Sequence, residues 1–172
     1  DINITGKKTK ETGNKILNLI NKFDENNSMY IESSFVSGVN NSAGKSYVQV
    51  DKDTYDLIKR TYLLCEQSGG KFDVTIAPVV LAWNINGDNP HIPEIDENLL
   101  SLVNYKDILF NDENSSIMLK NPNQKIDLGG IAKGSVCDKI YEILKTEDVK
   151  EAAISVGGNV IAFGNKSYNV GI

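Results

Sequence analysis

With 172 residues, 40% of them hydrophobic and 24% charged, the chain has the size and composition of one globular domain able to bury a core. A net charge of −5 and a single arginine, Arg60, exclude a basic stripe for nucleic acid and bidentate arginine clamps on phosphate. Any anion site must rest on lysine, backbone N–H groups or a metal. One histidine and two cysteines make that metal a hard, oxygen-bound cation rather than zinc.

"DINITG" at the start reads as a strand. Residues 9–23 set Ile16, Leu19, Ile20 and Phe23 on one helical face. A polar loop, "DENNSMYIESS", comes next. "SYVQVD" reads as a short strand. Asp53 is placed to cap a helix through "TYDLIKRTYLLCEQS", which Gly69 and Gly70 stop. "KFDVTIAPVVLAWN" begins strand-like and turns helical after Pro78. A polar stretch with Pro90 and Pro93 leads to a short helix around "DENLLSLVN". Two or three strands lie between residues 107 and 128. Val136, Ile140, Ile143 and Leu144 form one apolar stripe of a further helix, and "AAISVGGNVIAFG" is strand, Gly-Gly turn, strand. The predicted fold class is α+β: a mixed sheet with flanking helices, as one unit over residues 1–172. Both ends stop within strand-like sequence, so the expectation is a piece of a longer protein.

The segment "KIDLGGIAKG" (residues 125–134) carries the strongest chemical signal. A connection needs one glycine at most, yet Gly129 and Gly130 stand together at a helix start, with Asp127 before them and Lys133 after. Free N–H groups there, with no side-chain bulk, make a phosphate site. Lys133 in the first turn opposes the helix dipole by about 0.3–1 kcal/mol, a penalty that a bound anion would reverse. Asp127 would bond a ligand or cap the helix. On spacing alone, an ordinary glycine turn with a solvated lysine explains the segment as well.

Other segments say less alone. "SGGKFDVT" reads as a helix stop followed by a strand with Asp73 and Thr75 pointing outward. "GVNNSAGKS" ends like a P-loop but has five residues between Gly38 and Gly44 instead of four, and strand-like sequence follows it. Cys65 and Cys137 read as small buried hydrophobes. Trp83 and the tyrosines read as core, and His91 is a poor candidate for a catalytic base.

Taken in order, the segments resemble the ApbE family, the FAD:protein FMN transferases. "GGKFDVTIAPVVLAW" is similar to the family's Gly-Gly-x-Phe-Asp-x-Thr motif, with Val74 where proline is usual. "IDLGGIAKGSVCDKI" is close to its Asp-Leu-Gly-Gly-Ile-Ala-Lys-Gly signature, and "ISVGGNVIAFG" resembles its later glycine pair. "SMYIESSFVSGVN" is similar to Ser-x-Tyr followed by Ser-x-x-Ser-x-x-Asn, here Ser34, Ser37 and Asn40.

The resemblance implies an Mg²⁺-dependent enzyme that splits FAD, passes FMN to a Thr or Ser hydroxyl of a partner flavoprotein and releases AMP. By the same resemblance, Tyr30 would pack against the flavin or neighbouring groups, and Lys71, Phe72 and Asp73 would line the FAD pocket. Asp127 and Lys133 would contact the cofactor, and the Gly130 carbonyl would be one metal ligand. Further metal ligands, an Asp and a Thr, would come from a segment beyond this chain, so the chain alone is expected to bind FAD weakly and to be inactive. Two alternatives stay open: Mg²⁺-dependent hydrolysis of FAD to FMN and AMP, and a non-catalytic FAD-binding lipoprotein. The family's habit also implies an extracytoplasmic location with a lipid anchor, from a segment preceding this one.

Overall fold

A computed structural model describes residues 1–171. The chain divides into two compact units. One comprises Asp1–Asp24 with the chain from Ile131 onward, and the other Glu25–Gly130. The α+β class holds, with the strands shared between two small antiparallel sheets.

The first unit contains strand β1 (Ile2–Gly6), most of helix α1 (Thr9–Asn27), most of helix α6 (Gly129–Thr146), and strands β5 (Val149–Val156) and β6 (Asn159–Phe163). Its sheet runs β1-β5-β6, each pair antiparallel. The register sets Ile2, Ile154 and Ile161 in one cross-strand row and Ile4, Ala152 and Phe163 in the next. These rows share a face, because side chains two residues apart point the same way along a strand. Ile16 of α1 and Ile140 and Leu144 of α6 join that face in one buried cluster, with Leu19, Ile20 and Ile143 packed at its margin. The helical stripes read from sequence are therefore the ones that bury.

The second unit contains α2 (Phe35–Asn41), β2 (Val48–Gln49), α3 (Lys52–Gln67), α4 (Ala77–Ala82), α5 (Glu97–Ser101), a 3-10 turn (Tyr105–Asp107), β3 (Ile108–Asn111) and β4 (Ser116–Leu119). Its sheet order is β2-β4-β3. Tyr62 makes edge-to-face contacts with Tyr105 and Phe110, at 5.3 and 5.6 Å between ring centroids. Residues 38–46 form a helix end and a turn into β2, not the strand–loop–helix of a P-loop.

Three expectations change. The cap of α3 is Asp51, not Asp53: its Oδ1 accepts from Thr54 N–H at 2.8 Å, while Asn26 Nδ2 donates to Oδ2 at 2.9 Å. The polar loop after α1 starts later, because that helix runs to Asn27. The segment "KIDL" forms no regular strand and makes a single parallel bridge, Lys125 to Ile76. Too few backbone groups are paired on either side of it for a ladder to propagate.

Candidate active site

Within the second unit, hydrogen bonds bring three of the sequence motifs together. Ser34 caps α2, its Oγ accepting from Ser37 N–H at 2.9 Å and donating to the Ser28 carbonyl at 2.6 Å. Ser37 Oγ donates to the Met29 carbonyl at 3.2 Å. Both serines thus fasten the loop that carries Tyr30 onto α2. Asn40, on the last turn of α2, uses both ends of its carboxamide on one residue. Its Oδ1 accepts from Ile126 N–H at 2.8 Å, and its Nδ2 donates to the Ile126 carbonyl at 3.0 Å. This buried pair does for residue 126 what a neighbouring strand would do.

One residue on, Asp127 N–H donates to the Val74 carbonyl at 2.9 Å, which joins the third motif. The Asp127 carboxylate then accepts from Gly129 N–H at 2.8 Å, at the first residue of α6. Both glycines permit close approach. A Cβ on Gly129 would lie 3.1 Å from Asp127 Oδ1, and one on Gly130 would lie 2.9 Å from Phe72 Cε2. The surplus glycine noticed in the sequence therefore has one occupant already, the Phe72 ring. Phe72 is itself held by Ser68, whose Oγ accepts from its N–H at 3.0 Å. Lys71 beside it is exposed.

Asp73 and Thr75 do not point outward from a strand. Thr75 is fully buried, and Asp73 Oδ1 accepts from its N–H at 2.8 Å and its hydroxyl at 2.6 Å. Asp73 Oδ2 accepts from Tyr105 N–H at 2.9 Å, and Thr75 Oγ1 accepts from Asn104 N–H at 2.7 Å. The Asp73 carboxylate thereby locks residues 104–105 against the motif. Sequence reasoning missed this role, and the Asx-like spacing of Asp73 and Thr75 was the available signal.

Tyr30 is 56% exposed and lines a cavity of about 340 Å³ with Val80, Leu81, Asn84 and Ile85. That volume is at the lower end of small-molecule clefts. Trp83, read as core, is 37% exposed.

In the first unit, the later glycine pair meets the start of α6. Gly157 and Gly158 make the β5–β6 turn with φ of 53° and 96°, the sign that a two-residue hairpin demands. The stem of Lys133 lies over this turn, with its Cδ 2.8 Å from where a Gly157 Cβ would be. Asn159 Nδ2 is 3.7 Å from the corresponding point on Gly134. The "SVGGN" and "IAKG" segments, far apart in sequence, are thus neighbours.

Cys65 and Cys137 are both free thiols, and burial pushes each above the usual thiol range. His91 is exposed, its Nδ1 3.0 Å from the Asn89 carbonyl. Among the described residues no three His, Cys, Asp or Glu side chains converge as metal ligands.

The sequence model of the ApbE family matches residues 1–172. The chain belongs to the ApbE family. Among curated relatives, the FAD:protein FMN transferase of Treponema pallidum is 30% identical over 146 residues, 81% of this chain and 40% of that protein. The FAD:protein FMN transferase of Klebsiella pneumoniae is 26% identical, covering 87% of this chain and 48% of that protein. The chain thus spans about half the length of the curated ApbE relatives it matches. The crystal structure of the ApbE protein of Thermotoga maritima superposes with a TM-score of 0.83 at 30% identity, covering 96% of this chain and 54% of that one. The flavin transferase ApbE of Vibrio cholerae, at 21% identity and a TM-score of 0.82, shares the ApbE fold.

Proposed function

We propose that the protein to which this chain belongs transfers FMN from FAD to a Thr or Ser hydroxyl of a partner flavoprotein and releases AMP. The observation that carries this reading is the way Asn40, Val74 and Phe72 hold Asp127, Gly129 and Gly130 at the exposed start of α6. The relatives' name, FAD:protein FMN transferase, supplies the reaction.

In this reading the first-turn N–H groups of α6 that follow Gly129, whose own N–H Asp127 holds, receive the phosphate end of FAD. Lys133, one turn further along α6, adds a positive charge to that phosphate. Phe72 and Lys71 line the pocket, Asp73 keeps its walls in register, and Tyr30 packs against the flavin at its cavity. The acceptor hydroxyl attacks the FMN phosphorus and gives up its proton as the bridging P–O bond breaks and AMP leaves. Such a displacement needs alignment and charge neutralisation more than a protein nucleophile. The chain therefore requires no activated serine or cysteine.

One oxygen donor at this turn suits magnesium. Gly130 is the second residue of α6, so its carbonyl accepts one ladder bond and keeps a second lone pair. Peptide and carboxylate oxygens are the hard ligands that Mg²⁺ takes. The described residues would supply one carbonyl, and the remaining ligands would come from elsewhere in the protein. A bound cation would neutralise charge on the pyrophosphate oxygens and the departing AMP.

The test is to incubate the full-length protein with FAD, Mg²⁺ and a flavoprotein acceptor, and to follow AMP release and FMN on the acceptor by mass spectrometry. Lys133→Ala should cut the rate at least about tenfold, the equivalent of about 1.4 kcal/mol in the transition state. FMN released free, with none on the acceptor, would make the enzyme a hydrolase. FAD recovered intact would make it a carrier.

A further inference from the structure

Seven of the fourteen exposed large hydrophobic side chains among the described residues fall within residues 76–101. Ile92 is 83% exposed and Ile85 65%, and Trp83 and Ile95 are each 37% exposed. The same stretch has no counter-cation. No Lys or Arg occurs between Lys71 and Lys106, whereas Asp88, Glu94, Asp96 and Glu97 are all exposed. None of these four acids forms an ion pair among the described residues.

The surface has a defined shape. His91 N–H donates to the Trp83 carbonyl at 3.2 Å and Asn84 Nδ2 to the Asn89 carbonyl at 3.1 Å, closing the loop between them. Asp96 caps α5 by accepting from Leu99 N–H at 2.8 Å. These bonds order the loop without burying its isoleucines. Ile85 also belongs to the wall of the cavity that Tyr30 lines, so the patch adjoins that cavity.

Charge decides what can cover such a patch. A second copy laid on it face to face would set unpaired acids against unpaired acids. An anionic lipid surface would be repelled for the same reason. A polypeptide with apolar side chains between lysines or arginines satisfies both features. Its apolar groups bury the isoleucines, and its cations neutralise the rim.

We propose that residues 83–97 are the docking surface for the acceptor protein, through an acceptor segment in which apolar side chains are flanked by lysine or arginine. This rests on the reading that the second substrate is a protein. Ile92 is the apolar contact, Asp88 and Glu94 set the charge preference, and the docked segment lies beside the cavity wall at Ile85.

The experiment uses the full-length protein and a fluorescein-labelled peptide carrying leucine and phenylalanine between lysines. One control peptide has glutamate in place of lysine, and another has serine in place of the apolar residues. Binding is read by anisotropy and by emission of Trp83, the single tryptophan of this chain. The lysine peptide should bind and shift Trp83 emission, and each control should bind at least about tenfold more weakly. Ile92→Ser should weaken the lysine peptide about tenfold and leave the affinity for FAD unchanged. Asp88→Lys with Glu94→Lys should transfer the preference to the glutamate peptide. Equal binding of all peptides, indifference to the variants, or a dimer that Ile92→Ser dissolves would each overturn the docking surface. AMP release from FAD is measured in parallel with Mg²⁺ and a flavoprotein acceptor that supplies the hydroxyl. Peptide binding with no AMP release in the presence of the acceptor would support a peptide-docking surface and sink the transferase reading; AMP release and FMN transfer without peptide binding would do the reverse.

Discussion

Both units bury apolar side chains, but the sheet of the first and the site-bearing segments of the second are fastened by different chemistry. The unit made from residues 1–24 and 131 onward is held by apolar rows: three strands present isoleucines, alanine and phenylalanine on one face, and two helices cover it with Ile16, Ile140 and Leu144. In the unit of residues 25–130, the site-bearing segments are short and irregular, and side-chain polar groups fasten them to backbone. Asn40 grips Ile126, Asp73 grips Thr75 and Tyr105, and buried Gln124 donates to the carbonyl of Leu102 at 3.1 Å. Apolar packing tolerates exchange among hydrophobic side chains of similar volume. A clamp that needs a donor and an acceptor in fixed positions does not tolerate a change of chemistry even at constant volume.

That contrast is open to direct attack. The largest effect is expected from Ile140→Ala, which should cost about 2–5 kcal/mol, whereas Ile140→Leu should cost less than about 1.5 kcal/mol. Urea unfolding followed by circular dichroism measures both. Equal losses for the two variants would remove volume as the criterion in that unit.

Next comes Asn40→Ala, which strands the N–H and carbonyl of Ile126 and should cost about 2–4 kcal/mol. The sharper variant is Asn40→Asp. It keeps the shape but sets a carboxylate oxygen against the Ile126 carbonyl, so it should be no better tolerated than alanine. Fluorescence of Trp83, which lies in this unit, follows the unfolding. An Asn40→Asp protein as stable as the parent would break the argument that chemistry, not volume, governs here.

The smallest effect expected is one of pH. Burial first, and then its hydrogen bond to Asp112 at 2.9 Å, push the Tyr55 hydroxyl from 10.0 up to about 12. The folded state therefore prefers neutral Tyr55. Its contribution is whole below pH 10 and is lost as pH rises toward 12. Asp112 runs the other way. Hydrogen bonds from Lys59 and then Tyr55 hold it below its ordinary value, so its contribution is present above 3.8 and is lost as pH falls through the lowered value. Tyr55→Phe should flatten the alkaline limb of a stability–pH curve. An unchanged limb would assign that loss to other groups, such as lysines.

Much of the first unit was legible in sequence. The i, i+3, i+4 stripes of α1 and α6 and the Gly-Gly hairpin are local patterns, and a regular period directly implies which face buries. The second unit was less so. Asp51 rather than Asp53 caps α3 because the cap is the residue whose side chain reaches the N–H three positions on, and either aspartate fits the spacing. "KIDL" looks like a strand because alternating polar and apolar residues do, yet its partners are a carboxamide from α2 and one bridge to Ile76. Ile126 and Leu128 are buried either way, so apolar content could not distinguish a strand from a clamped extended segment. The candidate site was visible as motifs, but its internal bonding was not. Asp73 carries a carboxylate that suits a ligand on paper and accepts three of the chain's own donors in space.

The amino-acid sequence by itself determined the α+β class, the helical faces that bury, the Gly-Gly turn and the ApbE motifs, because each depends on residues near one another in the chain. Only the tertiary structure decided that Phe72 occupies the space a Gly130 side chain would need, and that Lys133 lies over Gly157. It alone showed that Asn40 substitutes for a strand beside Ile126. Each of those contacts joins residues separated by more than twenty positions. Such pairing is chosen by the competition of all buried groups for volume and hydrogen bonds, which no local pattern encodes.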